Sequence, residues 1–190
     1  MSTLKEKKVA VLATDGVEQS EIQEPINTLR QAGAEVQVLA PKGKDHIKAW
    51  RDGDWGESIK VDKSIDDAKD SDYDMAIYPG GVINADNLRR EESAINFARG
   101  FFTEGKPIAA ICHGAQTLLE TGMLRDRRMT AYPAISTDLQ NAGAIYENKE
   151  LIVDKGFVTS RHPGDLPVFK KKIVEELAEG KHEAMKAAAR

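Results

Sequence analysis

The chain has a single cysteine in 190 residues, and that scarcity excludes several kinds of site at once. No internal disulfide can form, and no cage of several thiolates can hold a metal ion. There is no Gly-x-Gly-x-x-Gly after the first apolar run and no P-loop, so a nucleotide cofactor is not supported; no metal and no other cofactor is expected. No apolar run approaches the length needed to span a membrane. The first eight residues, Met-Ser-Thr-Leu-Lys-Glu-Lys-Lys, lack the apolar centre of a signal peptide. Charge of one sign is also missing: 27 Lys and Arg against 31 Asp and Glu give a formal net charge of -4. That mild acidity offers no footprint for nucleic acid or for an anionic membrane surface, and the expected location is the cytoplasm. With 41% hydrophobic residues the chain can bury a sizeable core, and residues 1–190 are expected to form one domain.

What is present is an alternation of apolar strands and amphipathic helices. Residues 9–13 form a continuous apolar run, as in a central parallel strand covered on both faces. Ile22, Ile26 and Leu29 then repeat at helical spacing, Gly33 stops the helix, and residues 35–40 form a second strand. This opening β-α-β implies a parallel sheet with a right-handed crossover. Residues 45–62 read as a small β excursion around an Asp-Gly turn, and Trp50 and Trp55 within it are expected to pack in the core of the monomer. Further strands are expected at 74–78, 108–111, 129–133 and in a hairpin over 150–160. Helices are expected around Ile95–Phe102, after Cys112, over 135–142 and from Leu166, with an exposed helical tail from Gly180. The fold class is therefore α/β, doubly wound, with a mostly parallel sheet sandwiched by helices. Its site is expected at the C-terminal ends of the strands.

The lone cysteine falls at such an end. An apolar strand, Ile108 to Ile111, leads into Cys112-His113-Gly114-Ala115, where a helix begins. A strand-to-helix corner forces the turning residue into a strained conformation and lifts its side chain clear of the sheet. The unpaired backbone N–H groups just beyond favour an anion, which would lower the thiol pKa and hold an oxyanion. A buried, inert cysteine is the competing reading, and the stretch alone leaves both open. The loops after the neighbouring strands add Glu18, Gly80, Gly81 and Asp86 as residues able to reach the thiol. Glu21 and Glu24 read as solvated charges on a helix face, and His46, His162 and His182 as isolated surface or loop residues.

The motifs Pro79-Gly80-Gly81, Ala110-Ile111-Cys112-His113-Gly114, Thr130-Ala131-Tyr132-Pro133 and Val158-Thr159-Ser160-Arg161 resemble the PfpI family. This is the intracellular-protease-like and Parkinsonism-associated deglycase superfamily, related to class I glutamine amidotransferases, and the likeness runs from about Lys8 to about Leu177. The 54–57 excursion looks most like its bacterial general-stress-protein branch. The resemblance implies a flavodoxin-like fold, Cys112 as nucleophile and His113 as its neighbouring histidine. It implies Glu18 as the carboxylic acid that hydrogen-bonds the sulfur, and Gly81 and His113 as the backbone donors of the oxyanion hole. Near a thiolate, Glu18 would stay protonated, because two negative charges in one pocket repel. In protease-like members an acidic residue of a neighbouring subunit orients the histidine, and Asp86 is the nearest match; a Cys112-His113-Glu18 centre without it is the alternative. A homo-oligomer, most simply a dimer, is implied.

Three functions remain open on these residues. The first is a cysteine hydrolase of the stress response that repairs early glyoxal adducts, a deglycase or glyoxalase-like activity. The second is an intracellular cysteine peptidase, which would depend strongly on His113 to protonate an amine leaving group. The third is a peroxide-sensing or chaperone-type stress protein acting through oxidation of Cys112. The absence of long subsite loops favours small adducts over peptides.

Overall fold

The computed structural model describes residues 4–187. Strand β1 (Lys8–Leu12) leads to a two-residue strand β2 (Val17–Glu18) and helix α1 (Gln19–Gln31), followed by β3 (Glu35–Ala40). Next come the hairpin of β4 (His46–Arg51) and β5 (Asp54–Lys60), then β6 (Lys63–Ser64) and β7 (Met75–Tyr78). Helices α2 (Val82–Leu88) and α3 (Glu92–Glu104) precede β8 (Ile108–Ile111), which turns into α4 (Ala115–Leu119). The remainder is β9 (Arg128–Met129), α5 (Ser136–Asn141), β10 (Ile145–Tyr146), β11 (Ile152–Asp154), β12 (Phe157–Ser160), α6 (Leu166–Glu179) and α7 (Glu183–Ala187).

Seven strands form the main sheet in the order β11-β12-β8-β7-β1-β3-β6, and every pairing is parallel except β11 with β12. Side chains alternate across each strand, so one apolar run serves two cores. Val9 and Val11 of β1, with Ile77, Ala109, Ile111 and Val158, meet Ile22 and Leu29 of α1 and Phe169 and Ile173 of α6. Ala10 and Leu12, with Ala76, Tyr78, Ile108 and Ala110, meet Phe97, Phe101 and Phe102 of α3. Each such aromatic or aliphatic side chain, taken fully out of water, contributes about 1.5–3 kcal/mol. The doubly wound α/β architecture expected from the sequence is the one observed. Among the described residues no helix is long and apolar enough to cross a membrane.

Three local expectations are corrected. The strand expected over 129–133 ends at Met129: Thr130 N–H donates to Thr159 Oγ1, and the chain then enters a 3-10 turn at Pro133. Trp55 is 44% exposed instead of joining the core, and it packs edge to face on the half-buried Trp50 at 5.4 Å. The segment after Gly180 is docked instead of free: Met185 is fully buried in the α3-side core, and the buried Arg127 donates from Nη2 to its carbonyl.

Candidate active site

Because β1, β7 and β8 run parallel, their following loops emerge side by side at one edge of the sheet. Cys112 follows β8 directly and has φ +59, a left-handed conformation that costs a non-glycine residue on the order of 1–3 kcal/mol. The strain expected of the corner is thus present. Its side chain enters a cavity of about 460 Å³, walled mainly by Trp50, Val82, Ile83, Tyr132 and Pro163 and floored by Gly81, Cys112 and His113. Cys112 as a whole is 8% exposed.

Two glycines make the approach possible. Gly81 has φ +91, and a Cβ there would lie 2.2 Å from the Gly16 carbonyl oxygen. A Cβ on Gly80 would meet Glu21 Oε2 at 2.2 Å and Cys112 Cβ at 2.6 Å. Asn84 fixes this corner from below: its Oδ1 accepts from Thr14 N–H at 2.8 Å, and its amide donates to the carbonyls of Pro79 and Gly80 at 3.0 Å. The result aims the backbone N–H groups of Gly81 and His113 at the Cys112 sulfur. These are the two donors that the family resemblance implies.

The carboxylic acid at the sulfur is Glu21, not Glu18. Glu21 is 0% exposed, its Oε2 accepts from Gly80 N–H at 2.9 Å, and its carboxyl lies within hydrogen-bonding reach of the thiol. Oε1 is buried with no well-oriented partner among the described residues. Burial, first, and the Glu18 charge push the Glu21 carboxyl up to about 8, so at neutral pH it is mostly a neutral acid. Glu18 occupies the N-cap position of α1, lines the cavity and is bonded to Ser20. Its carboxyl is also raised, by burial and by nearby Asp52. The two residues differ by three positions, which is most of a helical turn. Glu21 falls on the stripe with Ile22, Pro25, Ile26 and Leu29 that faces the sheet, so the reading of it as a solvated charge is overturned.

The thiol environment also departs from expectation. Burial pushes the Cys112 thiol up, and a charged Glu21 would push it further; the His113 and Gly81 N–H groups pull the other way. One buried pocket disfavours two negative charges, so the thiol and the carboxyl titrate as a coupled pair. With Glu21 neutral its effect on sulfur reverses, because an O–H donor stabilises a thiolate.

His113 Nδ1 is 3.4 Å from Cys112 Sγ, so the two adjacent side chains do meet. The half-buried ring stacks on Tyr132 with centroids 4.7 Å apart, and burial lowers its basicity. Tyr132 is held there because its N–H donates to the Cys112 carbonyl at 3.2 Å. Asp86 is exposed on α2 and lines no part of this cavity. Among the described residues no carboxylate bonds the His113 ring. Arg161 belongs to a neighbouring brace, bidentate on Asp165. Glu21, Trp50 and Tyr132 line the cavity and Asn84 braces the corner beside it, and the sequence reading assigned none of the four a site role; only Glu21 carried a signal, its place on the apolar stripe.

A parallel α/β sheet with a strained cysteine at a strand end, faced by two backbone donors and a buried acid, defines a thiol elbow protein. The chain belongs to the DJ-1/PfpI family, whose model matches residues 7–176. It is 40% identical over 173 residues to "Protein/nucleic acid deglycase 2" of Escherichia coli, covering 90% of this chain and 98% of that one. It is 39% identical over 167 residues to "General stress protein 18" of Bacillus subtilis, covering 87% and 94%. Among solved structures, a two-domain Anabaena variabilis protein with DJ-1/ThiJ/PfpI-like and ferritin-like domains superposes with a TM-score of 0.86 at 38% identity. That match covers 90% of this chain and 48% of the Anabaena chain.

Proposed function

We propose that the chain is a cysteine hydrolase of the stress response, acting as a deglycase on small glyoxal adducts in the cytoplasm. The observation that carries this reading is the placement of the Cys112 sulfur against the Gly81 and His113 N–H groups and a neutral Glu21 at the base of an apolar cavity. Cys112 Sγ attacks the hemithioacetal or carbinolamine carbon of the adduct, the bond from that carbon to the departing thiol or amine breaks with its electron pair leaving on that group, and the carbon keeps its hydroxyl oxygen. The Gly81 and His113 N–H groups hold that oxygen, as preorganised donors do without reorganisation during reaction. The proton that leaves the thiol passes to the neutral His113 ring, whose Nδ1 lies 3.4 Å from Sγ; Glu21, already protonated, gives its proton to the departing amine or thiol and is reprotonated from His113. Water then cleaves the covalent intermediate and restores the thiol. Relatives named as deglycases support the substrate class.

A peptidase is the weaker reading for this chain. The cavity is a short apolar well, and among the described residues no acid orients His113. An acid supplied in trans remains part of the proposal: Val82 and Ile83 are 59% and 41% exposed on the helix that carries Asp86, and a homodimer meeting there would cover them.

Replacement of Cys112 tests the reading. C112S should lower release of methylglyoxal from treated N-acetyl-cysteine by at least about a thousandfold, the scale of losing a nucleophile. Full activity in that variant would overturn it.

A further inference from the structure

The end of the sheet remote from Cys112 holds a second buried acid that the proposed reaction does not use. Glu176 and Glu179 stand one turn apart near the C-terminus of α6, and His182 follows beyond the Gly180 turn. One ligand atom from each, two carboxylate oxygens and an imidazole nitrogen, can be chosen so that all three lie within 4.8 Å of one another. His182 N–H donates to the Gly105 carbonyl at 2.7 Å, and Gly105 precedes β8. The ring lies against Gly156, before β12, where a Cβ would come within 2.5 Å of it. Since the thiol follows β8 and these glycines precede β8 and β12, the cluster sits at the opposite edge of the sheet.

Two features separate this cluster from an ordinary ion pair. Glu176 is 2% exposed, and its Oε2 lies 2.8 Å from His182 Nε2. Yet among the described residues neither atom has a hydrogen-bond partner, because the carboxylate lies off the axis along which the imidazole would donate. That is the disposition of two ligands around a third atom: an ion on the nitrogen lone pair has its other ligands beside that axis. Charge points the same way. Lys172 Nζ is 2.8 Å from Glu176 Oε1, 3.4 Å from Glu175 and 3.8 Å from Glu179. Three carboxylates and one ammonium leave two negative charges when His182 is neutral.

We propose that Glu176 Oε2, Glu179 and His182 Nε2 bind a divalent cation of the zinc type, which ties α7 to α6 and to the base of the sheet. Imidazole with carboxylate oxygens suits zinc, at bond lengths near 2.0–2.2 Å, with water completing the coordination. Glu176 and His182 need to part by a few tenths of an ångström, and Glu179, whose side chain is 54% exposed, is free to swing in. The ion would stabilise the docking of α7 without touching the thiol.

Equilibrium dialysis of the full chain against ZnCl₂ tests this, using C112S so that the active-site thiol does not compete. One zinc per chain is expected, with a melting temperature raised by ~5 °C at saturation. H182Q should abolish binding. E179Q, a change at an exposed side chain that leaves the fold intact, should weaken binding at least about tenfold and remove the thermal shift. No bound zinc in C112S, or undiminished binding in E179Q, would overturn the proposal and leave Glu176 and His182 as an ion pair.

Discussion

Two glutamates are taken out of water at opposite ends of the same sheet, and the protein treats them differently. Glu176 is surrounded by cationic or cation-seeking groups, with Lys172 on one oxygen and His182 beside the other. Among the described residues no cation contacts Glu21; its partners are a backbone N–H and a thiol. Desolvation without a counter-charge favours the neutral carboxyl of Glu21, whereas Glu176 meets an ammonium and an imidazole. The first arrangement provides a hydrogen-bond donor in an apolar well, as thiol chemistry requires. The second provides negative charge at a joint between helices. A further contrast lies within one helical turn: Glu18 and Glu21 both line the cavity, and only Glu21 is at the sulfur.

That contrast is open to breaking. The largest expected effect after loss of the nucleophile is that of E21Q, which keeps the shape but not the exchangeable acid proton. Deglycation should fall by about a hundredfold, the lower range for loss of a general acid. An unchanged rate would remove Glu21 from the reaction. A medium effect is expected in stability against pH. Glu21 has an ordinary value of 4.5 and a folded value of about 8. Between those values the folded state holds a proton that the unfolded chain releases. Its contribution is therefore complete below 4.5 and is lost as pH rises through about 8. Denaturant melts should show wild type losing roughly 1.4 kcal/mol per pH unit relative to E21Q across that window. Parallel curves for the two proteins would contradict a protonated Glu21. The smallest effect belongs to E18Q, at the cavity rim: its deglycation rate should stay within about threefold of wild type, because Glu18 touches no reacting atom. A loss as large as that of E21Q would return Glu18 to the role the family motif suggested.

The sequence made the fold legible wherever an apolar run had a single interpretation. The stretch from Val9 to Leu12 could only be a strand covered on both faces, and Asp52-Gly53 could only close a hairpin. Cys112, Gly81 and His113 were legible because a strand end, a glycine and a helix start are written locally. The choice between Glu18 and Glu21 was not, since motif register tolerates a shift of three residues that helix geometry does not. The spacing of Glu21 with Ile22, Pro25 and Ile26 did hold the answer. Asn84, Tyr132 and the Glu176–His182 cluster depend on contacts between segments remote in sequence, and no local pattern marks them. The exposure of Trp55 is of the same kind, because the sequence points to cover from the domain core and the ring meets Trp50 and the Lys48 ammonium instead.

The central claim, that a neutral Glu21 stands beside the Cys112 sulfur at working pH, has a direct readout in infrared difference spectroscopy of wild type against E21Q at pH 7. A protonated carboxyl C=O stretch should be present in wild type and absent in E21Q, disappearing as the pH is raised past about 8. A carboxylate signal from Glu21 at pH 7, with no protonated band to lose, would contradict it.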